Sequence, residues 1–151
     1  MELESNRDII KVDRVEAFFL PVSPSVPVIV CYLNDGRQFN LLNVPAEIVI
    51  AINKLKGLTN YGDRESIYDI LLMFNDITDY LEKRIDTVII DNLNRDFGVY
   101  SATVGIKFGG VLIQKTMIPS HAIYLALLSK TKIYVKKQLV DDQEKEMSSN
   151  G

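Results

Sequence analysis

The early part of the chain reads as strands. From Val12 to Phe19, Val12, Arg14, Glu16 and Phe18 alternate with Asp13, Val15, Ala17 and Phe19, a β-prone run without clean amphipathicity. Three prolines in Pro21-Val22-Ser23-Pro24-Ser25-Val26-Pro27 remove ladder donors and mark a loop. Val28-Ile29-Val30-Cys31-Tyr32-Leu33 is apolar at both alternating positions, which suits a strand covered on both faces. Asn34-Asp35-Gly36-Arg37 carries an Asp-Gly hairpin signal, so the chain is expected to return through Gln38 to Val44. Pro45 then opens a helix that Gly57 closes after Lys54 and Lys56.

In the middle of the chain Ile67, Ile70, Leu71, Phe74, Ile77 and Leu81 form one continuous stripe at helical spacing. Asp63 and Glu65 before it and Lys83 and Arg84 at its end match a helix dipole. The pattern predicts one helix packing on that face alone. Strands resume over 86–91 and 99–107, with a turn at 92–98. Gly109-Gly110 turns the chain into 111–118, and Pro119-Ser120 starts a helix to Ser129 before a last strand at Ile133-Tyr134-Val135. Three strands and a Pro-started helix thus occur twice, around Pro45 and around Pro119. The expectation is a single α+β domain of mainly antiparallel sheet, with an internal βββα duplication and three main helices. Residues 1–9 are expected to be a flexible N-terminus, 10–139 the domain, and 140–151 a disordered acidic tail.

Two helices are apolar all round, Ala122-Ile123-Tyr124-Leu125-Ala126-Leu127-Leu128 and Ile48-Val49-Ile50-Ala51-Ile52. Such helices are covered on every side. Either a second copy covers one of them, giving a homo-oligomer with a dimer favoured, or the helix is sandwiched inside one subunit.

With 151 residues, 47% of them hydrophobic and 25% charged, the chain has the makeup of one folded domain of ordinary size. Its 17 basic and 20 acidic residues leave a net charge of −3, which excludes binding nucleic acid by bulk positive charge. The lone cysteine, Cys31, excludes an internal disulfide and a Cys-based zinc site. No apolar run reaches the roughly 18 residues of a membrane span, and the first residues lack the order of a signal peptide. A cytoplasmic protein is the expectation.

Two segments resemble the bifunctional nuclease (BFN) domain family. Thr87-Val88-Ile89-Ile90-Asp91-Asn92-Leu93 with Phe97-Gly98-Val99-Tyr100-Ser101-Ala102 is similar to the family's strand ending in an acidic pair, its turn and its following aromatic strand. Pro119-Ser120-His121-Ala122-Ile123-Tyr124 with Ile133-Tyr134-Val135 is similar to its Pro-Ser-Asp-Ala-Ile helix and closing strand. Pro45 with Glu47 matches its first helix start, and Asp69 the acid of its Thr-His-Asp helix start. The resemblance implies a nuclease acting on DNA and RNA. It also marks departures: Asn92 replaces the second acid, Ile118 an arginine, His121 an aspartate, and Ile67-Tyr68 the Thr-His pair.

Hydrolysis of a phosphodiester at neutral pH commonly uses carboxylates that hold a divalent ion, here Mg²⁺ or Mn²⁺. Asp91 and Asp96 are the candidate metal ligands. Asp91, Glu47 and Asp69 are the candidate catalytic acids, with Asp91 and Glu47 able to share an ion if the two halves face each other. His121, the only histidine, sits in a first helical turn and is the candidate base. Competing with these roles are ordinary ones: an aspartate in a turn binds its own backbone, and a glutamate in a first turn complements the dipole. Ser120 reads as an N-cap and Cys31 as a core residue. Lys130, Lys132, Lys136 and Lys137 around Tyr134 either bind a nucleic-acid strand or decorate a solvated edge strand.

Overall fold

Seven strands line up in the order β3-β2-β1-β7-β4-β5-β6. They are β1 (Ile9–Leu20), β2 (Val26–Leu33), β3 (Gln38–Leu42), β4 (Ile85–Asn94), β5 (Val99–Phe108), β6 (Val111–Met117) and β7 (Ile133–Lys136). The helices are α1 (Ala46–Leu55), α2 (Ile67–Leu72), α3 (Asn75–Arg84), α4 (Pro119–Ser129) and α5 (Lys137–Asn150). This computed structural model describes residues 8–58 and 64–150, with side chains as far as 148. The flexible N-terminus was expected over residues 1–9; residues 1–7 of it lie outside the described residues, as does Asp63, while Ile9 already belongs to β1.

The α+β class and the repeated plan are both present. Strands β1 to β3 form an antiparallel meander followed by α1, and β4 to β6 form another followed by α4. Strand β7 lies between them, antiparallel to β1 and parallel to β4. The two meanders therefore run in opposite senses, as a two-fold rotation normal to the sheet beside β7 requires. Both helices lie on one face and pack against each other. Turn chemistry follows the residues: Gly36 (φ +92°), Gly98 (φ +67°) and Gly109 (φ +60°) take the left-handed backbone their hairpins need.

Helix α4 is enclosed within the subunit. Ala122, Ile123 and Ala126 have no exposed surface, Tyr124 and Leu128 are buried, and no residue from Pro119 to Ser129 is exposed. The helix sandwiched within one subunit is the arrangement found. Strands β4 and β5 cover one side of the helix and helices α1 and α3 pack against it on the others. The sheet itself curls. Strands β3 and β5 are five steps apart in the sheet, about 24 Å if it were flat. Yet the rings of Phe39 on β3 and Tyr100 on β5 meet edge to face at 5.0 Å between centroids. Helix α1 adds Ile48, Val49 and Ile52 to the same core, and its buried Asn53 side-chain N–H donates to the Ala17 carbonyl at 3.1 Å.

Two sequence expectations are corrected. The central stripe does not form one helix: the chain breaks at Met73 and Phe74 into α2 and α3. Nor does the whole stripe face the core: Ile67, Ile70 and Phe74 are exposed, and of its members Leu81 packs inward, beside Tyr68 and Leu72 from outside the stripe. Ser66 starts α2 in a capping box with Asp69, which fixes the helix in that rotation. The acidic end is also not a mobile tail. It forms α5, because Leu139 and Val140 are buried and its polar side chains find partners on distant strands. Gln143 is the clearest of these: its carbonyl accepts the Asn40 backbone N–H at 2.7 Å and its amide donates to the Asn40 carbonyl at 2.9 Å. One side chain thus does for edge strand β3 what a neighbouring strand would do. Arg37 binds Asp141 at 2.7 Å and Arg95 binds Asp142 at 2.9 Å, so α5 straps β3 to the β4–β5 hairpin.

Ile123→Ala is expected to cost about 2–5 kcal/mol in urea unfolding, as for other large-to-small changes in a packed core. Ile70→Ala, on the stripe that faces solvent, is expected to stay within roughly 0.5 kcal/mol of the parent. Gln143→Ala should leave the sheet intact and speed exchange of the Asn40 amide, read by hydrogen exchange.

Candidate functional site

The nominated acids each have a local task. Glu47 lies in the first turn of α1, where its charge complements the helix N-terminus, and Arg64 reaches it at 3.3 Å. Asp91 sits on β4 and accepts a hydrogen bond from the Thr103 hydroxyl of β5 at 2.7 Å. Asp96 is exposed in the β4–β5 hairpin, where its backbone N–H and that of Phe97 are held by the Asn94 side chain. Among the described residues, no three His, Cys, Asp or Glu side chains are grouped to hold a metal ion.

Asp69 is the most firmly occupied. Its carboxylate accepts from Lys54 at 2.8 Å and from the Ser66 backbone N–H at 2.8 Å. These bonds hold the carboxyl down at about 2, with Lys54 the larger cause. Lys54 and Asp69 side chains are each only 17% exposed, so the pair ties α2 onto α1. Beside it, the Tyr68 and Tyr124 rings meet at 4.9 Å, and burial pushes the Tyr124 phenol up to about 12. Lys54, Tyr68, Asp69 and Tyr124 form a fastening between α1, α2 and α4. Sequence reasoning missed it, since the signal was the Ser66-x-x-Asp69 spacing rather than any resemblance.

His121 occupies the first turn of α4 and is half-buried. Ser120 is not the N-cap; that place is Ile118, with Pro119 the first helical residue. Its hydroxyl is buried without a hydrogen-bond partner. Cys31 is fully buried, and burial pushes its thiol up to about 12, so it stays a neutral core group. Strand β7 is interior, not an edge, so Lys136 and Lys137 flank the middle of the sheet; Lys137 pairs with Asp141 at 2.9 Å.

One cleft of about 770 Å³ opens where α5 crosses between β3 and the β4–β5 hairpin. It is lined by Leu42, Pro45, Val99, Ile118, Ser120 and Met147 among others, and none of the nominated acids lines it. No helix among the described residues is long and apolar enough to cross a membrane. A comparison with models of known protein families finds no match, and no curated protein is significantly similar to the chain.

Asp69 stabilises the fold while ionised. Its carboxyl lies below the ordinary value of about 4, so this contribution is complete above that pH and is lost as pH falls toward 2. Lys54→Met is expected to raise the Asp69 pKa and move acid unfolding to higher pH, measured by NMR titration and circular dichroism.

Proposed function

We propose that this chain is a divergent BFN-type domain that keeps the duplicated βββα fold, has shed the metal-dependent hydrolysis of DNA and RNA, and works as a self-associating, non-catalytic scaffold in the cytoplasm. The observation that carries the reading is the occupation of the acids. Glu47, Asp69 and Asp91, the positions matching the family's acids, each serve a local bond or ion pair instead of converging. A metal-activated water needs oxygens that point at a shared centre, and carboxylates committed elsewhere do not supply them. A buried neutral thiol as the chain's only cysteine accords with a reducing compartment.

Self-association rests on β6. The two sheet edges are unlike: Gln143 closes β3, whereas Val111 to Thr116 of β6 are exposed at every position. That edge presents Val111, Leu112 and Ile113 with a single charge, Lys115, and no proline. Such an edge pairs readily with another strand. A second copy of β6 running antiparallel about Gln114 sets Lys115 opposite Ile113, so no like charges meet. This reading moves the interface from the apolar helices α1 and α4, which lie inside one subunit, to the open sheet edge.

Highly purified protein is expected not to degrade single-stranded DNA or RNA with Mg²⁺ or Mn²⁺. Degradation abolished by the double change Asp91→Ala, Glu47→Ala would establish the nuclease instead. Light scattering at micromolar concentration is expected to give the mass of a dimer, and Ile113→Lys that of a monomer. A monomeric parent protein would refute the scaffold.

A further inference from the structure

The cleft under α5 has features that the fold alone does not require. Its rim collects exposed apolar side chains from four separate segments: Leu42 at the end of β3, Val99 on β5, Ile118 before α4 and Met147 on α5. Elsewhere on a folded chain such side chains are scattered singly; gathered round one concavity they mark a binding site. Its volume of about 770 Å³ is that of a pocket for a small organic molecule.

The polar chemistry of the lining is unusual as well. Among the described residues, the buried side-chain oxygens and nitrogens without a hydrogen-bond partner are the Asn40 carbonyl oxygen and the Ser120 hydroxyl, and both residues line this cleft. Ser120 is only 2% exposed. A buried polar atom left unpaired forfeits the hydrogen bonds it made to water, and a complementary group entering the cleft would restore them. One orphan is an acceptor and the other a donor that turns freely about its C–O bond. Ser120 also stands in the first turn of α4, where its backbone N–H has no intrahelical acceptor. Charge narrows the class further: no lysine or arginine lines the cleft, and Glu146 does. A phosphate or carboxylate would be buried there without a counter-charge.

We propose that the cleft is a binding site for an uncharged, largely apolar small molecule with an amide-like head. The head's N–H donates to the Asn40 side-chain oxygen, its carbonyl accepts from Ser120, and its apolar body lies against Leu42, Val99, Ile118 and Met147. The site is separate from β6, so occupancy leaves the assembly state unchanged.

The test uses the full chain and the neutral fluorophore N-phenyl-1-naphthylamine, displaced by decanamide or decanoate at neutral pH. One fluorophore site per chain is expected, with displacement by decanamide about tenfold or more tighter than by decanoate, a difference of about 1.4 kcal/mol. Leu42→Trp and Val99→Trp fill the cleft from exposed positions and should each weaken the fluorophore about tenfold without lowering the unfolding temperature. Ser120→Ala should weaken decanamide more than the fluorophore. Absence of binding, binding indifferent to both tryptophans, or equal displacement by decanoate would overturn the site. Each outcome is read apart from the mass of the assembly, which light scattering follows separately.

Discussion

Helix α4 has no side that can face water, and the rest of the domain is arranged to meet that constraint. Its apolar residues recur at every angle around the axis, so contact with one face of a sheet leaves half of them exposed. Strands β4 and β5 cover one side of it and helices α1 and α3 pack against the others, while the curl of the sheet carries Phe39 to Tyr100 across the span of four intervening strands. At roughly 25 cal/mol per Å² of apolar surface removed from water, enclosing such a helix is strongly favourable. The short strand β7 fills the seam between the two meanders.

A curled sheet leaves a gap between its approaching margins, and α5 spans it. Its acidic residues look solvated in the sequence, but Asp141 and Asp142 engage arginines on two different hairpins, and Gln143 takes the place of a strand beside Asn40. Buried Leu139 and Val140 hold the first turn so that these partners are within reach. Individually such surface ion pairs are weak. Their role is positional: they set where α5 lies, and that placement creates both the closed β3 edge and the cleft beneath the helix.

The same logic separates the acids of this domain by task. Asp69 is committed to Lys54 and to the start of α2, Asp91 to Thr103, and Glu47 to a helix N-terminus with Arg64 alongside. Each bond lowers the freedom of that carboxylate to serve as a ligand. Among the described residues, the buried side-chain oxygens and nitrogens without a partner lie elsewhere, on Asn40 and Ser120. Residue type alone pointed to the carboxylates, whereas the environment left an amide oxygen and a hydroxyl without partners.

Strands, hairpins and both Pro-started helices were legible in the sequence because each rests on local chemistry: alternation, glycine at positive φ, proline at a helix start. The repeated βββα order followed from those signals, and so did the burial of α4, which any apolar-all-round helix demands. Three things were not legible. The stripe from Ile67 to Leu81 has helical period, but Ser66 and Asp69 set the rotation of α2 and the break at Met73 and Phe74 divides it. The fate of α5 depended on Arg37, Asn40 and Arg95, which lie 45 or more residues away in the chain. The lining of the cleft is drawn from five elements and loops that only the curl brings together. The amino-acid sequence by itself determined which segments become strands and helices and which helix must be enclosed, since those depend on neighbours along the chain. Tertiary structure alone decided which carboxylates are occupied, which edge is closed and where a pocket opens, because those depend on groups that meet only when the sheet bends.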